Sequence, residues 1–594
     1  MSAPTPGPRD VAATTVTEDT AESAAIDPGG DDEPDQLPAG GVPGLAILQA
    51  GGTEDGPFTA LPIVAAPDAV ARDEVNRLNA AALAAFKANR FAEARGLFER
   101  IVAIIPASPA ARSNLAAVLR RTGRNTEAEA QCRRAIALSP DYVAAHMNLA
   151  EVLYERRDIV AALASYDRVA RLTPDYASVH NHAGLLLRKI GRFSQAQAAF
   201  VRALALTPDD LAIRFNLLMT RRDEAALPEA LACCRRLAEQ APERAEVLIN
   251  LAVVLNLSGQ YDEALAAFDR ALALNSDSFE ARFNLSLLLL LRGDYERGWR
   301  EYEQRWRMIE VVKPSLAQPE WQGEELNGKT ILLHCEQGLG DTIQCLRFVP
   351  QVAARGGRIV LRVERNLMRL AASLTDTVII SPPNAHLPHF DVWCPLLSLP
   401  RILGTRADTI PTVAPYLRPR GAIVERWARQ LSEHAGLKVG LVWSGNAQHI
   451  NDFRRSIGFA RLRPLLDVTG VRWFSLQVGR HAPDIAALPP GSIVDLSPEL
   501  ADFAETAGAI VNLDLVIAVD TAVAHLAGAL GKPAWVMLPF VPDWRWMIDR
   551  DDSPWYPTLR LYRQRAMGDW DDVVARVAAD LGRLVAERAA RDGG

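Results

Sequence analysis

The sequence predicts an all-α superhelix followed by two doubly wound α/β domains, and three observations lead there. Pro106, Pro140, Pro174, Pro208 and Pro242 fall 34 residues apart, with Ser276 in the next slot, which is the signature of a repeat array. After about residue 320 the pattern changes to short apolar strands alternating with helical segments, as in a parallel sheet covered by helices. Two of those strands run into loops of one design, strand then small or polar residues then helix, at Glu336–Asp341 and Asp520–His525.

The chain has 594 residues, too many for one core. Residues 1–73 are rich in Ala, Pro, Gly and acid, too poor in apolar surface to offset their ordering entropy, and are expected to be a disordered tail. Residues 1–40 carry nine of the acidic residues against one arginine, so most of the net charge of −7 sits there. The remainder is close to neutral, which gives no sign of a nucleic-acid partner. The N-terminus has neither a basic nor an apolar region of the kind a signal peptide needs. Leu285–Leu291, the longest apolar run, is too short to cross a bilayer. The six cysteines form no CxxC pair and no metal-ligand cluster with histidine. They read as reduced thiols, and the expected location is cytoplasmic.

Residues 75–312 divide into six to seven repeats beginning near 75, 109, 143, 177, 211, 245 and 279. One column reads Ala94, Ala128, Ala162, Ala196, Ala230, Ala264, Gly298, and four residues on another reads Phe98, Cys132, Tyr166, Phe200, Cys234, Phe268, Tyr302. A small residue where two helices touch, with a larger one filling the space a turn later, suits antiparallel helix pairs. Period and columns together resemble tetratricopeptide repeats. The sixth position of successive repeats is Asn114, Asn148, His182, Asn216, Asn250 and Asn284. An amide offers both a donor and an acceptor, so this ladder, similar to that of the protein O-GlcNAc transferases, is expected to hold an extended polypeptide acceptor by its backbone. The alternative is that these side chains bond neighbouring helices.

Trp299, Trp306 and Trp321 mark a connector that would seal a domain junction. The first α/β set, residues 313–420, has strands at 331–335, 359–363 and 378–381, a less regular one within 391–399, and a proline-rich linker at 404–420. The second, residues 421–594, has strands at 438–443, 472–478, 493–496, 515–519 and 534–538, and a final helix at 571–590. Two Rossmann-like domains in succession are the GT-B arrangement, whose ligands bind in the cleft between the domains.

In the first loop, Gly338 and Gly340 would allow positive φ and close approach of a ligand. Asp341 either N-caps the following helix or points into the ligand space. In the second, the start of the helix after Asp520 and Thr521 can hold a pyrophosphate, and His525 either bonds a phosphate oxygen or packs on the sheet.

Gly-Leu-Gly-Asp in one domain and Asp-Thr-x-x-x-His in the other resemble the bacterial lipopolysaccharide heptosyltransferases, inverting GT-B enzymes of glycosyltransferase family 9. With the repeats, the chain is similar to the bacterial tetratricopeptide-repeat glycosyltransferases over residues 75–590. The resemblance implies that Asp341 is the catalytic base and that Asp520, Thr521 and His525 hold the donor's phosphates. Ala522 departs from the glycine usual there. The family has a basic residue in the loop after residue 443, matched here by Arg455 near Ser444 and Asn446, with a solvated basic loop as the alternative. From the residues alone, Gln477 at its strand end is expected to face the nucleoside, and Trp544-Arg545-Trp546 either lines the acceptor side or only packs the cleft. The implied reaction is direct displacement at the anomeric carbon of a nucleotide-sugar, with no cofactor, its charge held by donors rather than by a metal. The rival expectation is an interaction scaffold whose GT-B region is non-catalytic.

Overall fold

The computed structural model describes residues 69–594 except 157, 222–223, 308–312, 375–377, 383–385, 447–450 and 593–594. Most of the expected tail therefore lies outside the described residues. Its last five residues do not behave as tail, because a helix already begins at Ala69 and runs to Lys87. Val75, Leu78, Ala82 and Ala85 of that helix are buried against Ala94 and Phe98, so the apolar stripe begins where the repeat phase puts it, and the helix extends about a turn and a half ahead of it.

From Ala69 to Tyr302 the described residues form fourteen α-helices. The first helix of each later pair starts at Pro109, Val143, Ala177, Leu211, Ala245 and Phe279, the phase set by the prolines. Every alanine of the small column is wholly buried, and so are Phe98, Phe200 and Phe268 of the large one. Gly298 ends the small column because a Cβ there would lie 2.7 Å from Leu290 Cδ2. A third column is visible only in the structure. Arg112, His146, His180, Arg214 and Arg282 each bond the carbonyl six residues back, at Pro106, Pro140, Pro174, Pro208 and Ser276, over 2.8–3.0 Å. Side chains thus tie down the turns that join successive pairs.

The last helix, Tyr295–Tyr302, is packed into the α/β half by aromatic rings. Trp299 meets Trp544 edge to face at 5.2 Å and donates its indole N–H to the Thr405 carbonyl (3.2 Å). The Trp555 indole donates to the Tyr295 hydroxyl (3.1 Å). Of the connector tryptophans Trp299 thus seals a junction, while Trp306 and Trp321 bond within the connector, to Glu303 and Glu324, and Trp321 is fully buried.

The first sheet has β1 (Thr330–His334), β2 (Arg358–Arg362), β3 (Val378–Ser381) and β4 (Val392–Pro395) in the order β3-β2-β1-β4. The second has β5 (Leu437–Val442), β6 (Val471–Ser475), β7 (Ile493–Asp495), β8 (Leu515–Val519), β9 (Ala534–Leu538) and β10 (Leu559–Arg563) in the order β10-β9-β8-β5-β6-β7. All pairings are parallel. Strand order reverses between β1 and β4 in one sheet and between β5 and β8 in the other. Ligands of such sheets bind outside the strand ends at that reversal, and both candidate loops follow a strand that borders one.

Strand β10 was not expected. It is an edge strand, Leu-Arg-Leu-Tyr-Arg, whose arginines break the apolar run by which a buried strand is recognised. The helix Gly421–Ser432, just after the proline-rich linker, was also missed. Among the described residues no helix is long and apolar enough to cross a membrane.

Replacing Trp299 by Ala removes a wholly buried aromatic contact between the halves. The expected cost is about 3–5 kcal/mol, read as a lowered melting temperature, and a change near zero would show that the rings do not hold the junction.

Candidate functional site

Both loops deliver a helix start to the same place. After β1 the helix Leu339–Cys345 is N-capped by Gly338, whose φ is −63°. Neither Gly338 nor Gly340 has positive φ, which corrects that expectation. What requires glycine is proximity. A Cβ on Gly340 would lie 2.8 Å from His525 Cδ2 and 3.6 Å from Ala522 Cα, and one on Gly338 would lie 2.9 Å from Asp341 Oδ2. The two helices, one from each sheet, touch where a side chain would stand.

Asp341 is the third residue of its helix and not the cap. Its carboxylate forms an ion pair with Arg545 of the second domain. The same guanidinium donates from Nε to Gln344 Oε1 (2.6 Å) and from Nη1 to Asp543 Oδ1 (2.8 Å), and lies 4.1 Å from the Trp544 ring centroid. Burial disfavours the charge on Arg545, but Asp341 and Asp543 outweigh it and hold the group firmly protonated.

After β8, Thr521 caps the helix Ala522–Ala529 in extended conformation without a side-chain cap bond, and its buried Oγ1 has no hydrogen-bond partner. Burial and the nearby Asp543 carboxylate raise the pKa of Asp520 to about 6, against the pull of Arg455. His525 is buried, with Nδ1 2.9 Å from the Tyr556 hydroxyl and its ring stacked on Trp546 at 5.1 Å. Burial, then Arg545, Arg347 and Arg455, depress its pKa well below the usual value. The ring is therefore held neutral and is half committed to Tyr556.

The loop after β5 is built around Ser456. Its hydroxyl accepts from the Gly445 N–H (2.9 Å) and from Ser444 Oγ (3.2 Å), and donates to Asp452 (2.9 Å). Arg455 lies over the loop, bonded to Asp452 (3.3 Å), and a Cβ on Gly445 would come within 2.7 Å of its Nη2. Asn446 is exposed beside it. Gln477 is buried. Its carbonyl accepts from the backbone of Trp443 (3.1 Å) and Ser444 (3.0 Å) and its amide donates to Val478 (3.1 Å), so it braces the loop from behind.

Three contributors were not read from the sequence. Arg347 is buried, donates to the Trp555 carbonyl (2.6 Å) and stacks on Tyr556 at 4.6 Å. Arg305, just past the last repeat, is wholly buried and bonds Glu336 (2.9 Å), Glu303 (2.9 Å) and Ser398 (2.7 Å). Burial raises the pKa of Glu336 to about 7 although Arg305 pulls it down. The Tyr302 hydroxyl donates to Gln337 (3.2 Å). The repeats thus hold the glycine loop directly. Glu336 opens that loop, which was the one available signal.

The asparagine column is corrected. Asn114, Asn148, Asn216 and Asn250 are wholly buried and Asn284 is 2% exposed. Asn148 Nδ2 donates to the Ser113 carbonyl (3.0 Å) and Asn216 Nδ2 to Asn181 Oδ1 (3.1 Å), each in the preceding repeat. Asn284 bonds Glu280 of its own helix (2.8 Å). Asn148 and Asn216 thus link successive repeats, whereas both polar atoms of Asn114 are buried without a hydrogen-bond partner.

Models of the tetratricopeptide repeat match residues 79–143, 119–177, 182–245 and 245–278, and the chain carries these repeats, a fold used for binding proteins. Protein FlbA of Caulobacter vibrioides is 30% identical over 315 residues, 48% of this chain and 52% of FlbA. The chain spans about half the length of that curated relative. Among solved structures, a tetratricopeptide repeat protein from Parabacteroides merdae is 16% identical, with 40% of this chain and 94% of that one covered and a TM-score of 0.33. PilF of Pseudomonas aeruginosa is 18% identical, with 36% and 97% covered and a TM-score of 0.30.

Two outcomes are expected. Asn148→Ala or Asn216→Ala should each cost about 1–3 kcal/mol, because a buried partner loses its bond; a thermal melt as stable as wild type would mean that the column is not structural. Asp520 has a folded pKa of about 6, above its ordinary value. Its contribution to stability is present below about pH 4 and is lost as pH rises through 6. Asp520→Asn should therefore raise the melting temperature at pH 8 and hardly change it at pH 4, and an equal gain at both would count against a raised carboxyl.

Proposed function

We propose that the α/β half is a GT-B glycosyltransferase region, transferring a sugar with inversion from a nucleotide-sugar to a protein or glycan acceptor that the repeats recruit. The observation that carries it is the contact of Gly340 with His525. It brings Asp341, the Thr521 hydroxyl and the start of the helix Ala522–Ala529 into one small volume, with Arg545 inside it and Arg455 close enough to act on Asp520 and His525. Asp341 would take the acceptor hydroxyl's proton as it becomes acidic in the transition state. Arg455, Thr521 and the helix start would hold the departing nucleoside diphosphate. The neutral His525 would serve as a flat wall and a single hydrogen-bonding group.

A second reading has an observation of its own. Asp341 is paired with a buried guanidinium, and a carboxylate so held is a weak base. A scaffold whose α/β half no longer catalyses transfer would keep that pair as a structural bolt. For the enzyme, Arg545 must leave Asp341 when a diphosphate arrives.

A thermal-shift series with UDP, ADP, GDP and dTDP separates the two, since a ligand of the native state raises the melting temperature. One of them should do so, and Asp341→Asn should keep that shift while losing transfer by about 10²-fold or more in kcat. If no nucleotide stabilises the protein, the scaffold reading stands.

A further inference from the structure

The loop that carries Arg545 is held in a backbone conformation that its residues disfavour. It joins β9 to β10 over residues 539–558, and its short helical turn Trp544–Trp546 ends on Met547. Met547 has a φ of +56° and a ψ of −167°, a region left almost wholly to glycine because a Cβ there crowds the backbone. Asp549, two residues on, also has positive φ, at +54°. Such a conformation persists only where the surroundings over-determine it.

Two sets of contacts do so here. Arg563, at the end of β10, gives its whole guanidinium to carbonyls of this one loop. Nη2 donates to Trp546 (2.6 Å), Nη1 to Met547 (2.9 Å) and Nε to Arg550 (2.6 Å). The helical half supplies the other set. A Cβ on Gly259 would lie 2.9 Å from Phe540 Cε1, and one on Gly293 would lie 2.8 Å from Met547 Cε. The turns of the sixth and seventh repeats therefore bear on both sides of Trp544–Trp546. Tyr261, beside the first of those turns, acts electrostatically on Arg563, and Trp299 packs on Trp544. Between these contacts stands Arg545, paired with Asp341.

We propose that residues 540–550 are a strained latch and that Arg563 is its positioning residue, keeping Arg545 on Asp341 with the help of the last two repeats. Loss of the three carbonyl bonds lets Met547 relax to negative φ, and the turn Trp544–Trp546 swings with it. Arg545 then leaves Asp341. Movement of the last two repeats acts on the same loop and controls whether Asp341 is free. That its release uncovers a base rests on the glycosyltransferase reading, whereas the latch itself does not.

The test uses the full chain without nucleotide or acceptor, so a protein that transfers no sugar gives the same answer. Hydrogen exchange read by mass spectrometry follows the amides of Trp546 and Met547, which are bonded to Asp543 and Trp544 within the turn. Carbodiimide coupling of glycine ethyl ester, read on the peptide containing Asp341, follows how freely that carboxylate reacts. Arg563→Met should speed both by about tenfold or more, with exchange in β8 unchanged. Arg563→Lys retains a single donor group and should fall between it and wild type. Adding Met547→Gly to either variant should bring both rates back to within about threefold of wild type, because glycine holds that φ without a clamp. Trp299→Ala should speed both by about threefold or more relative to β8. Wild-type rates in Arg563→Met would overturn the proposal, and so would faster exchange without faster coupling at Asp341. Rates that glycine fails to restore would show that residue 547 stores no strain, and the latch would fall. Wild-type rates in Trp299→Ala would overturn the hold by the repeats.

Discussion

Arg545 is a charge placed out of water, and such a charge must be met on every side. It is met by Asp543 of its own loop, and by Asp341 and Gln344 of the other sheet. The arrangement cannot exist with the sheets apart, so the ion pair ties the loop after β1 to the loop after β9. Beside it Gly340 meets His525 of the helix after β8, which leaves no room for a side chain at residue 340. Burial makes the pair strong and also restrictive, because the Asp341 carboxylate is committed to the arginine.

The helical half is part of this constraint and not an appendage to it. Trp299 packs on Trp544, the neighbour of Arg545, and Arg305 reaches Glu336 and Ser398, in the loops after β1 and β4. These two loops flank the strand-order reversal of the first sheet. A displacement of the last repeat would therefore be felt in both within one or two hydrogen bonds. Rigid aromatic packing and a fully bonded buried arginine transmit such a displacement better than a solvated linker would.

Electrostatics in the cleft are lopsided. Arg347, Arg455 and Arg545 all act to lower the pKa of His525, while Asp520 is pushed up to about 6. The cationic groups are held in place by rings, carbonyls and carboxylates that are already packed. An anionic ligand entering there would meet donors that need little reorganisation, the condition under which charge stabilisation is strongest.

Much of the fold was legible in the sequence, and the reason is local. A 34-residue period, a small-then-large column and runs of apolar residues each report on neighbours within one element or one turn, and they located the repeat helix starts and the strands β1 to β9 to within a few residues. Glycine and aspartate at the ends of β1 and β8 were legible for the same reason. What stayed hidden depends on distance along the chain. Arg545 lies 204 residues from Asp341, and no pattern near either names the other. The asparagine column shows the same limit. Position six of a repeat can face a groove or a neighbouring helix, and how tightly successive pairs close decides which. Gly340 is glycine because a histidine from the other sheet arrives there, not because its own backbone demands it. The sequence by itself determined which elements form; only the tertiary structure decided which charges and side chains meet, because burial and pairing are set by partners that periodicity cannot see.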